Sequence, residues 1–428
     1  MLKLSRFRVR TLLACVPVCI ATSGFAVGAA VAAPIESSKP DSGSATVTLG
    51  SDDSLLAGIP GNGNVTLEQA KKWFGNPDHH VELQVELPKG LDAAKANIFI
   101  PSDNPLTRAK IELGRQLYFD PRLSVDGTIS CASCHDPAQG YGAHTQFGVG
   151  VRDQEGGRNS PVAYNRIISK AQFWDGRADS LEAQAVGPIA NPIEMGHTHE
   201  ECVAGLAANP VYQAEFKSVF SNGITIDNVG KAIAAFERTL VSGPAPYDFQ
   251  NDIATFEKAF ADDLEFLDEE PELKKQYDAL KAAAAAHPMS ESAKRGMTLF
   301  FGKAACTACH AGANFSDEQY HNLGVAMDSD KPDLGRYEIT KVEKDKGAFK
   351  TPTLRNIVLS APYMHDGSQK TLEEVMVWYN KGGHKNPWLS DKMKPLNLTD
   401  QEVADVVAFM KEGLTGSFPR IQTARLPE

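Results

Sequence analysis

Two short motifs place a pair of cysteines directly before a histidine in separate parts of the 428-residue chain. They read CASCH, ending at His135, and CTACH, ending at His310. In a C-x-x-C-H motif the two thiols add to the vinyl groups of one haem, and the histidine supplies its imidazole to the iron. We therefore predict two covalently attached c-type haems with these histidines as iron ligands. The attaching thiols are those of Cys131, Cys134, Cys306 and Cys309.

C-x-x-C pairs also occur in thioredoxin-like redox sites and in zinc sites. A thioredoxin-like motif belongs to a βαβ pattern, whereas the residues before both motifs have helical patterns. A zinc site remains an alternative on spacing alone, although an exported protein is a less favourable place for one. Cys202 stands apart from both motifs, and we expect it to be a buried free thiol without redox function.

The segments around the two motifs repeat. GRQLYF from Gly114 precedes the first motif and GMTLFF from Gly296 precedes the second, and both end predicted helices, at 105–118 and 290–301. Asn104 followed by Pro105 is the predicted start of the first helix. After the motifs, SP…N, DG and SLE recur as TP…N, DG and TLE at a constant offset of 191 residues. The chain is therefore predicted to be mainly α, with two cytochrome c-like haem domains related by internal duplication.

The chain divides into five predicted segments. A basic start, an apolar stretch and the small residues Ala30-Val31-Ala32 are typical of a cleaved signal peptide, which predicts a periplasmic protein. The formal net charge of −11 suits attraction of a basic redox partner as well as simple solubility, and we expect no nucleic-acid partner. The segments are a signal peptide (1–33), a partly disordered extension (34–100), the first haem domain (101–249), a helical linker or insertion (250–289) and the second haem domain (290–428).

Overlaying the two copies makes the two haems unequal. Tyr379 falls opposite Pro188, and a tyrosine can ligate haem iron whereas a proline cannot. If this position faces the distal side, the second iron is closed and the first is open. Met393 is a rival ligand for the second iron, and an ordinary half-buried role for Tyr379 also remains open.

Two further side chains are candidates for chemistry near the open site. Glu194 follows a largely apolar run, so desolvation should raise its pKa and suit it to move a proton of hydrogen peroxide. Gln184 is a candidate to assist it by hydrogen bonding; structural roles are the alternative for both. Trp174 falls opposite His365, where it is either a core residue or an electron relay between the haems.

These residues closely resemble the bacterial diheme cytochrome c peroxidase family. The resemblance rests on LGRQLYFDPRLS, CASCH, GRNSP, FWDGRADSLEAQA, GPIANPIEM, CTACH and TPTLRNIVLSAPYMHDG. It implies a two-domain helical fold with a calcium ion between the domains. It also implies a peroxidatic first haem and a second haem that accepts electrons from a small cytochrome c or a cupredoxin.

The resemblance also implies residue roles. Glu194 is similar to the catalytic acid–base, Gln184 and Pro188 to distal residues, and Trp174 to the residue between the haems. The implied calcium ligands are Asn159 and the backbone carbonyls of Ser360 and Pro362.

The sequence departs from ordinary family members at two positions. Val151 stands where they have a histidine that blocks the first haem, and Tyr379 stands where they have a methionine. Both changes resemble the branch that contains the methylamine dehydrogenase maturation enzyme. His144 lies in the same loop as Val151 and is an alternative ligand for the first haem.

The sequence thus favours a periplasmic diheme peroxidase that reduces hydrogen peroxide. One alternative is an oxidase that uses a high-valent haem state on a protein or small molecule. The other is a diheme electron carrier without peroxide chemistry. Family members are often dimers, so a homodimer is possible.

Overall fold

The computed structural model describes residues 45–50, 53–418, 421 and 423–428. The predicted signal peptide lies outside these residues, as does the start of the predicted extension. No helix in this part of the chain is long and apolar enough to cross a membrane.

Helices form most of the regular structure. The α-helices are α1 (Asp53–Leu56), α2 (Leu67–Phe74), α3 (Arg108–Phe119), α4 (Cys131–Cys134), α5 (Leu181–Ala190), α6 (His199–Ala207), α7 (Pro210–Val219), α8 (Ile226–Glu237), α9 (Pro246–Ala259), α10 (Pro271–Ala286), α11 (Glu291–Phe301), α12 (Tyr337–Thr340), α13 (Leu372–Asn380) and α14 (Asp400–Ala408). A π-helical turn, Phe409–Gly413, extends α14. Short 3-10 turns occupy Pro77–His80, Asp92–Asn97, Pro121–Leu123, Pro137–Gln139, Val151–Asp153, Arg166–Ile168, Leu264–Glu269, Cys306–Ala308, Glu343–Asp345 and Ile357–Leu359.

Two small sheets complete the regular structure. β1 (Ala45–Thr48) pairs in parallel with β2 (Leu83–Glu86), with Val47 opposite Val85. β3 (Tyr320–Asn322) pairs antiparallel with β4 (Ala348–Lys350), with Tyr320 opposite Lys350. The predicted mainly α fold class is therefore confirmed.

Each copy of the repeat is built on one tightly crossed pair of helices. Gly114 of α3 lies against α8, and a Cβ added there would stand 1.8 Å from the carbonyl oxygen of Ala232. Gly296 of α11 has the same relation to α14, with the added Cβ 1.8 Å from the carbonyl oxygen of Asp405. Because glycine has no Cβ, both pairs of helix backbones approach closely. Each pair lies within a hydrophobic core of its own.

The constant offset of the repeat holds in the backbone. Phe173 and Met364 both have left-handed φ angles, of 66° and 73°. The isolated bridge between Gln172 and Ala178 recurs between Tyr363 and Gln369. The helices that follow, α5 and α13, begin after Ser180 and Thr371, which cap them through their side chains. Pro188 and Tyr379 therefore occupy equivalent positions in equivalent helices.

The start of α3 differs from the prediction. Thr107, not Asn104, caps this helix, and its hydroxyl accepts from the backbone N–H of Lys110 at 3.1 Å. Asn104 is fully buried, and its amide donates to Glu182 at 2.6 Å and to the carbonyl of Lys231 at 3.0 Å. Partners on α5 and α8 thus determine the conformation of Asn104. A capping rule considers only residues close in sequence, so it could not predict these partners.

Both ends of the described chain pack on the first core. Leu49 and Leu55 from the predicted extension are buried in it, and so are Ile421 and Ala424 from the tail. The Arg425 guanidinium donates to carbonyls of the 59–64 segment, which fastens the two ends together. The last residues therefore contact the first copy, although the sequence assigned them to the second domain.

The predicted linker is helical, as expected, but α9 begins at Pro246, before residue 250. α9 and α10 pack against each other, with Phe256 stacked on Tyr277 at 5.3 Å between ring centroids. Asp248 of α9 receives two hydrogen bonds, each 2.9 Å, from the buried Arg355 guanidinium. This buried ion pair connects α9 to the second copy of the repeat.

Candidate functional site

A continuous cavity of about 660 Å³ is lined by all the cysteines and histidines of both motifs. The Nδ1 atom of His135 lies 3.4 Å from the carbonyl oxygen of Tyr141, and that of His310 lies 2.8 Å from the carbonyl oxygen of Phe315. When Nδ1 carries the proton and donates to a carbonyl, Nε2 presents a lone pair. Burial lowers the pKa of both imidazoles, which favours this neutral form.

The cysteines also fit covalent haem attachment. Cys131, Cys134, Cys306 and Cys309 are all unpaired thiols. Burial raises the pKa of all four, to about 12 for Cys306 and about 11 for Cys309. Thiols held neutral beside an apolar cavity, each pair followed by an imidazole with a free Nε2, suit a haem tethered by two thioethers better than a hydrated metal ion.

Glu194 borders the first motif's part of the cavity and is half-buried. The amide of Asn191 donates to its Oε1 atom at 2.7 Å. Desolvation raises the pKa of Glu194 above the ordinary value of 4.5, although Arg177 and the Asn191 hydrogen bond oppose the shift. The predicted desolvation is thus present. Asn191 holds Oε1, and Oε2 accepts no hydrogen bond from the described residues.

The other predicted distal residues lie around the same space. Gln184 and Pro188, both on α5, line the cavity with Glu194. The carbonyl of Pro188 accepts from the backbone N–H groups of Asn191 and Met195, both at 3.2 Å. The end of α5 therefore fixes the turn that carries Glu194.

Tyr379 borders the second motif's part of the cavity. Its pKa is raised strongly by burial and by the neighbouring thiols of Cys309 and Cys306. Met393 is buried and lines the same cavity, so both predicted candidates border it. The two sites differ as the overlay predicted, with proline at one and tyrosine at the equivalent position of the other.

Trp174 and His365 both line the cavity that the two motifs share. The indole N–H of Trp174 donates to the carbonyl of Asn159 at 2.8 Å. The ring of His365 stacks on Phe349 at 3.6 Å between centroids, and burial lowers its pKa to about 4. A neutral stacked imidazole therefore occupies the position in the second copy that is equivalent to the Trp174 indole.

The predicted calcium ligands line the cavity too: they are Asn159, Ser360 and Pro362. The Asn159 amide donates to the carbonyls of Thr145 at 3.1 Å and Gln146 at 3.3 Å, which leaves its oxygen for another partner. Amide and carbonyl oxygens are ligands that calcium accepts. The residues present therefore fit the ion.

Two residues of the loop before Asn159 do not line the cavity: His144, the alternative ligand for the first haem, and Val151. His144 hydrogen-bonds the carbonyl of Leu359 through Nε2 at 2.8 Å and is not part of the cavity lining. Val151 is buried, and its N–H donates to the carbonyl of Glu194 at 2.8 Å. Cys202 is a buried free thiol, as expected, and burial raises its pKa to about 12.

The sequence analysis missed two side chains at the cavity. Asn191 orients Glu194 through its side-chain hydrogen bond. In the sequence, an Asn three residues before a Glu in a turn with proline could have indicated this contact. Glu237, at the end of α8, is buried, and its Oε2 atom has no hydrogen-bond partner within the described part of the chain. Burial raises its pKa to about 8. No local pattern distinguishes Glu237 from an exposed helix-end acid.

Two covalent haem sites of different character in a duplicated helical fold define a diheme c-type cytochrome. Residues 108–253 match the family of di-haem cytochrome c peroxidases, and residues 293–413 match the cytochrome c family. The chain belongs to the di-haem cytochrome c peroxidase family, and it is an oxidoreductase that carries c-type haem.

Relatives from both branches of this family are similar to the chain. The methylamine utilization protein MauG of Methylorubrum extorquens is 39% identical over 73% of this chain and 80% of its own length. The cytochrome c551 peroxidase of Nitrosomonas europaea is 37% identical over 74% and 83%. The crystal structure of a MauG-like protein associated with microbial copper homeostasis superposes with a TM-score of 0.61 and 31% identity, covering 76% of this chain and 95% of that one.

Proposed function

We propose that this protein reduces hydrogen peroxide to water with electrons from a small cytochrome c or a cupredoxin. Each turnover takes two electrons and two protons and yields two water molecules. The observation that carries the proposal is Glu194, a half-buried carboxyl at the cavity beside Pro188, which cannot ligate iron. A pure electron carrier has no use for a desolvated acid at an open site.

The haem at His135, when bound, supplies the redox chemistry that breaks the O–O bond. Glu194 takes a proton from one peroxide oxygen and returns it to the other, which leaves as water. Asn191 holds Oε1 of that carboxyl, so Oε2 is the oxygen assigned to the proton. Gln184 orients the peroxide from the same helix as Pro188, and Trp174 lies where electrons cross from the second site.

Peroxide consumption with a reduced donor tests the proposal. We expect steady-state turnover at about 10 per second or faster with reduced cytochrome c or cupredoxin, a typical enzymatic rate. The control reaction omits the donor, so that catalase-like loss of peroxide is subtracted. Electron exchange with the donor but no peroxide consumption would support the carrier instead.

A second function is favoured by Tyr379, which faces the second site where ordinary members have methionine. The similarity to MauG supports an oxidase that acts on a protein or small molecule. The test oxidises the protein with peroxide in the absence of an electron donor. A return to the resting spectrum only after a substrate is added would favour this function.

Spectra of the isolated protein test the asymmetry between the sites. We expect one high-spin five-coordinate haem and one low-spin haem, because Pro188 leaves the first iron open and Tyr379 closes the second. Magnetic circular dichroism should lack a methionine–iron charge-transfer band, whereas ligation by Met393 would produce one. Two low-spin haems would contradict the open site and point to His144.

Calcium is part of the proposal, with Asn159 and the carbonyls of Ser360 and Pro362 as ligands. Substitution Asn159→Ala should weaken calcium affinity about 10–100-fold, because the amide oxygen is lost. Calorimetric titration of chelator-treated protein measures this loss, and magnesium serves as the control ion. Equal calcium affinity in wild type and variant would contradict the assignment.

Export to the periplasm completes the proposal, supported by the sequence of residues 1–33. Mass spectrometry of the mature protein from a periplasmic fraction should find a chain that begins near Ala33. A homodimer is proposed on family resemblance alone, and sedimentation velocity decides it.

A further inference from the structure

The two copies of the repeat exchange equivalent backbone hydrogen bonds. The N–H of Asn159 donates to the carbonyl of His365 at 2.7 Å, and the N–H of Lys350 donates to the carbonyl of Trp174 at 2.8 Å. Asn159 and Lys350 are equivalent in the repeat, and so are Trp174 and His365, at the same offset. The contact is therefore pseudo-twofold symmetric, and the side chains of Asn159 and Lys350 occupy matching places.

The ammonium group of Lys350 is buried within a set of oxygen atoms. It donates to Ser169 Oγ at 2.5 Å and to the carbonyl of Ala171 at 2.7 Å, and it pairs with Glu318 at 2.8 Å. The side chain is 5% exposed. Burial and Arg166 lower its pKa to about 7, while Glu318 acts in the opposite direction.

The residues around Lys350 are the counterparts of the proposed calcium ligands. At the constant offset, Ser169 corresponds to Ser360 and Ala171 corresponds to Pro362. The lysine nitrogen thus contacts the hydroxyl of Ser169 and the carbonyl of Ala171, at the positions equivalent to the two residues whose carbonyls are the proposed calcium ligands.

The acid that accompanies Lys350 also has a counterpart. Glu318 lies three residues after Phe315, the acceptor for His310, and His144 lies three residues after Tyr141, the acceptor for His135. Both have left-handed φ angles, of 56° and 54°. Lys350 and Glu318 therefore place a cation and an anion where the Asn159 half has an amide and an imidazole. Arg166 is a second cation in the Lys350 half: its guanidinium donates to Ser169 Oγ at 2.8 Å and to the carbonyl of Ala171 at 3.2 Å, and its counterpart in the repeat is Ile357.

We propose that Lys350 is a built-in cation that holds the 169–171 segment as a bound calcium ion would hold the segment from Ser360 to Pro362. Trp174 lies three residues after Ala171, and the Lys350 N–H binds its carbonyl. Lys350 is therefore a positioning residue for Trp174, and it needs no metal ion. The parallel with calcium rests on the proposed function, whereas the contacts of Lys350 do not.

The substitution Lys350→Asn tests this inference, because it places at 350 the residue found at 159. It removes the ammonium and supplies an amide oxygen. The Glu318 carboxylate then keeps its hydrogen bonds from the hydroxyls of Ser169 and Ser316 but loses the Lys350 cation, so a divalent cation should bind there. After chelator treatment and calcium titration at pH 6, elemental analysis should find one more calcium ion per haem-loaded chain than in wild type. Calcium should also raise the unfolding temperature of the variant more than that of wild type.

A matched variant and a reciprocal one complete the experiment. Lys350→Arg keeps a cation and should bind no additional calcium, with tryptophan fluorescence like that of wild type. Asn159→Lys should abolish calcium binding at the site proposed for Asn159, Ser360 and Pro362. If wild type binds no calcium, the calcium proposal fails, yet a gained ion in Lys350→Asn still supports the role of Lys350. An unchanged ion count in Lys350→Asn, or a variant that calcium cannot restore to the folded state, overturns the inference.

Discussion

The substitution Glu194→Gln is expected to lower peroxide turnover by about 10²–10⁴-fold, the usual contribution of a positioned general acid–base. Glutamine has nearly the shape of glutamate and still accepts the 2.7 Å hydrogen bond from Asn191, but it cannot take a proton from peroxide. Haem attachment and reduction by the donor should not change, because neither uses the carboxyl. Stopped-flow mixing of the reduced protein with peroxide measures the loss directly.

The control for this variant is Glu200→Gln, an exposed position on α6. It changes the charge by the same amount and should keep wild-type turnover. A Glu194→Gln variant that retains more than a tenth of the wild-type rate would remove Glu194 from the mechanism.

The pH dependence of wild type gives a second measure of the same group. Glu194 accepts a proton only as the carboxylate, so kcat/KM should fall as pH decreases through its pKa. Because burial raises that pKa above 4.5, the acid limb should lie above the ordinary carboxyl range. The limb should be absent from the pH profile of Glu194→Gln.

The substitution Gly114→Ala should have the largest effect on stability, a loss of roughly 3 kcal/mol in the free energy of unfolding. The new Cβ would stand 1.8 Å from the carbonyl oxygen of Ala232 and 3.0 Å from the Cβ of Phe236. Both belong to α8, so α3 and α8 must separate at the centre of the first core. Thermal unfolding followed by haem absorbance measures the change. The absorbance changes of the first and second haem sites are followed separately.

The matched control is Gly205→Ala on α6, where an added Cβ meets no atom within 4 Å. Alanine is a better helix former than glycine, so this variant should gain roughly 0.5–1 kcal/mol. If Gly114→Ala unfolds at the temperature of wild type, the close crossing of α3 and α8 is not required for stability.

The haem chemistry and the duplication follow from residue types and spacing alone. A C-x-x-C-H motif places both thiols and the imidazole within five residues, so its chemistry does not depend on distant parts of the chain. The constant offset likewise needs only residue identities, and it predicted the pairing of Pro188 with Tyr379. The helix caps at Thr66 and Thr399 were also predictable, because their partners lie three residues away.

The contacts between residues distant in the chain became known only from the folded structure. Asn104 reads as a helix cap in the sequence, yet its partners lie on α5 and α8, so Thr107 caps α3 instead. No motif in the sequence singles out Lys350, but its ammonium contacts residues about 180 positions away. Such contacts depend on how the two copies pack, because burial of apolar surface stabilises that packing and each charge buried with it needs a partner. The spacing of residues along the chain does not indicate how the two copies pack.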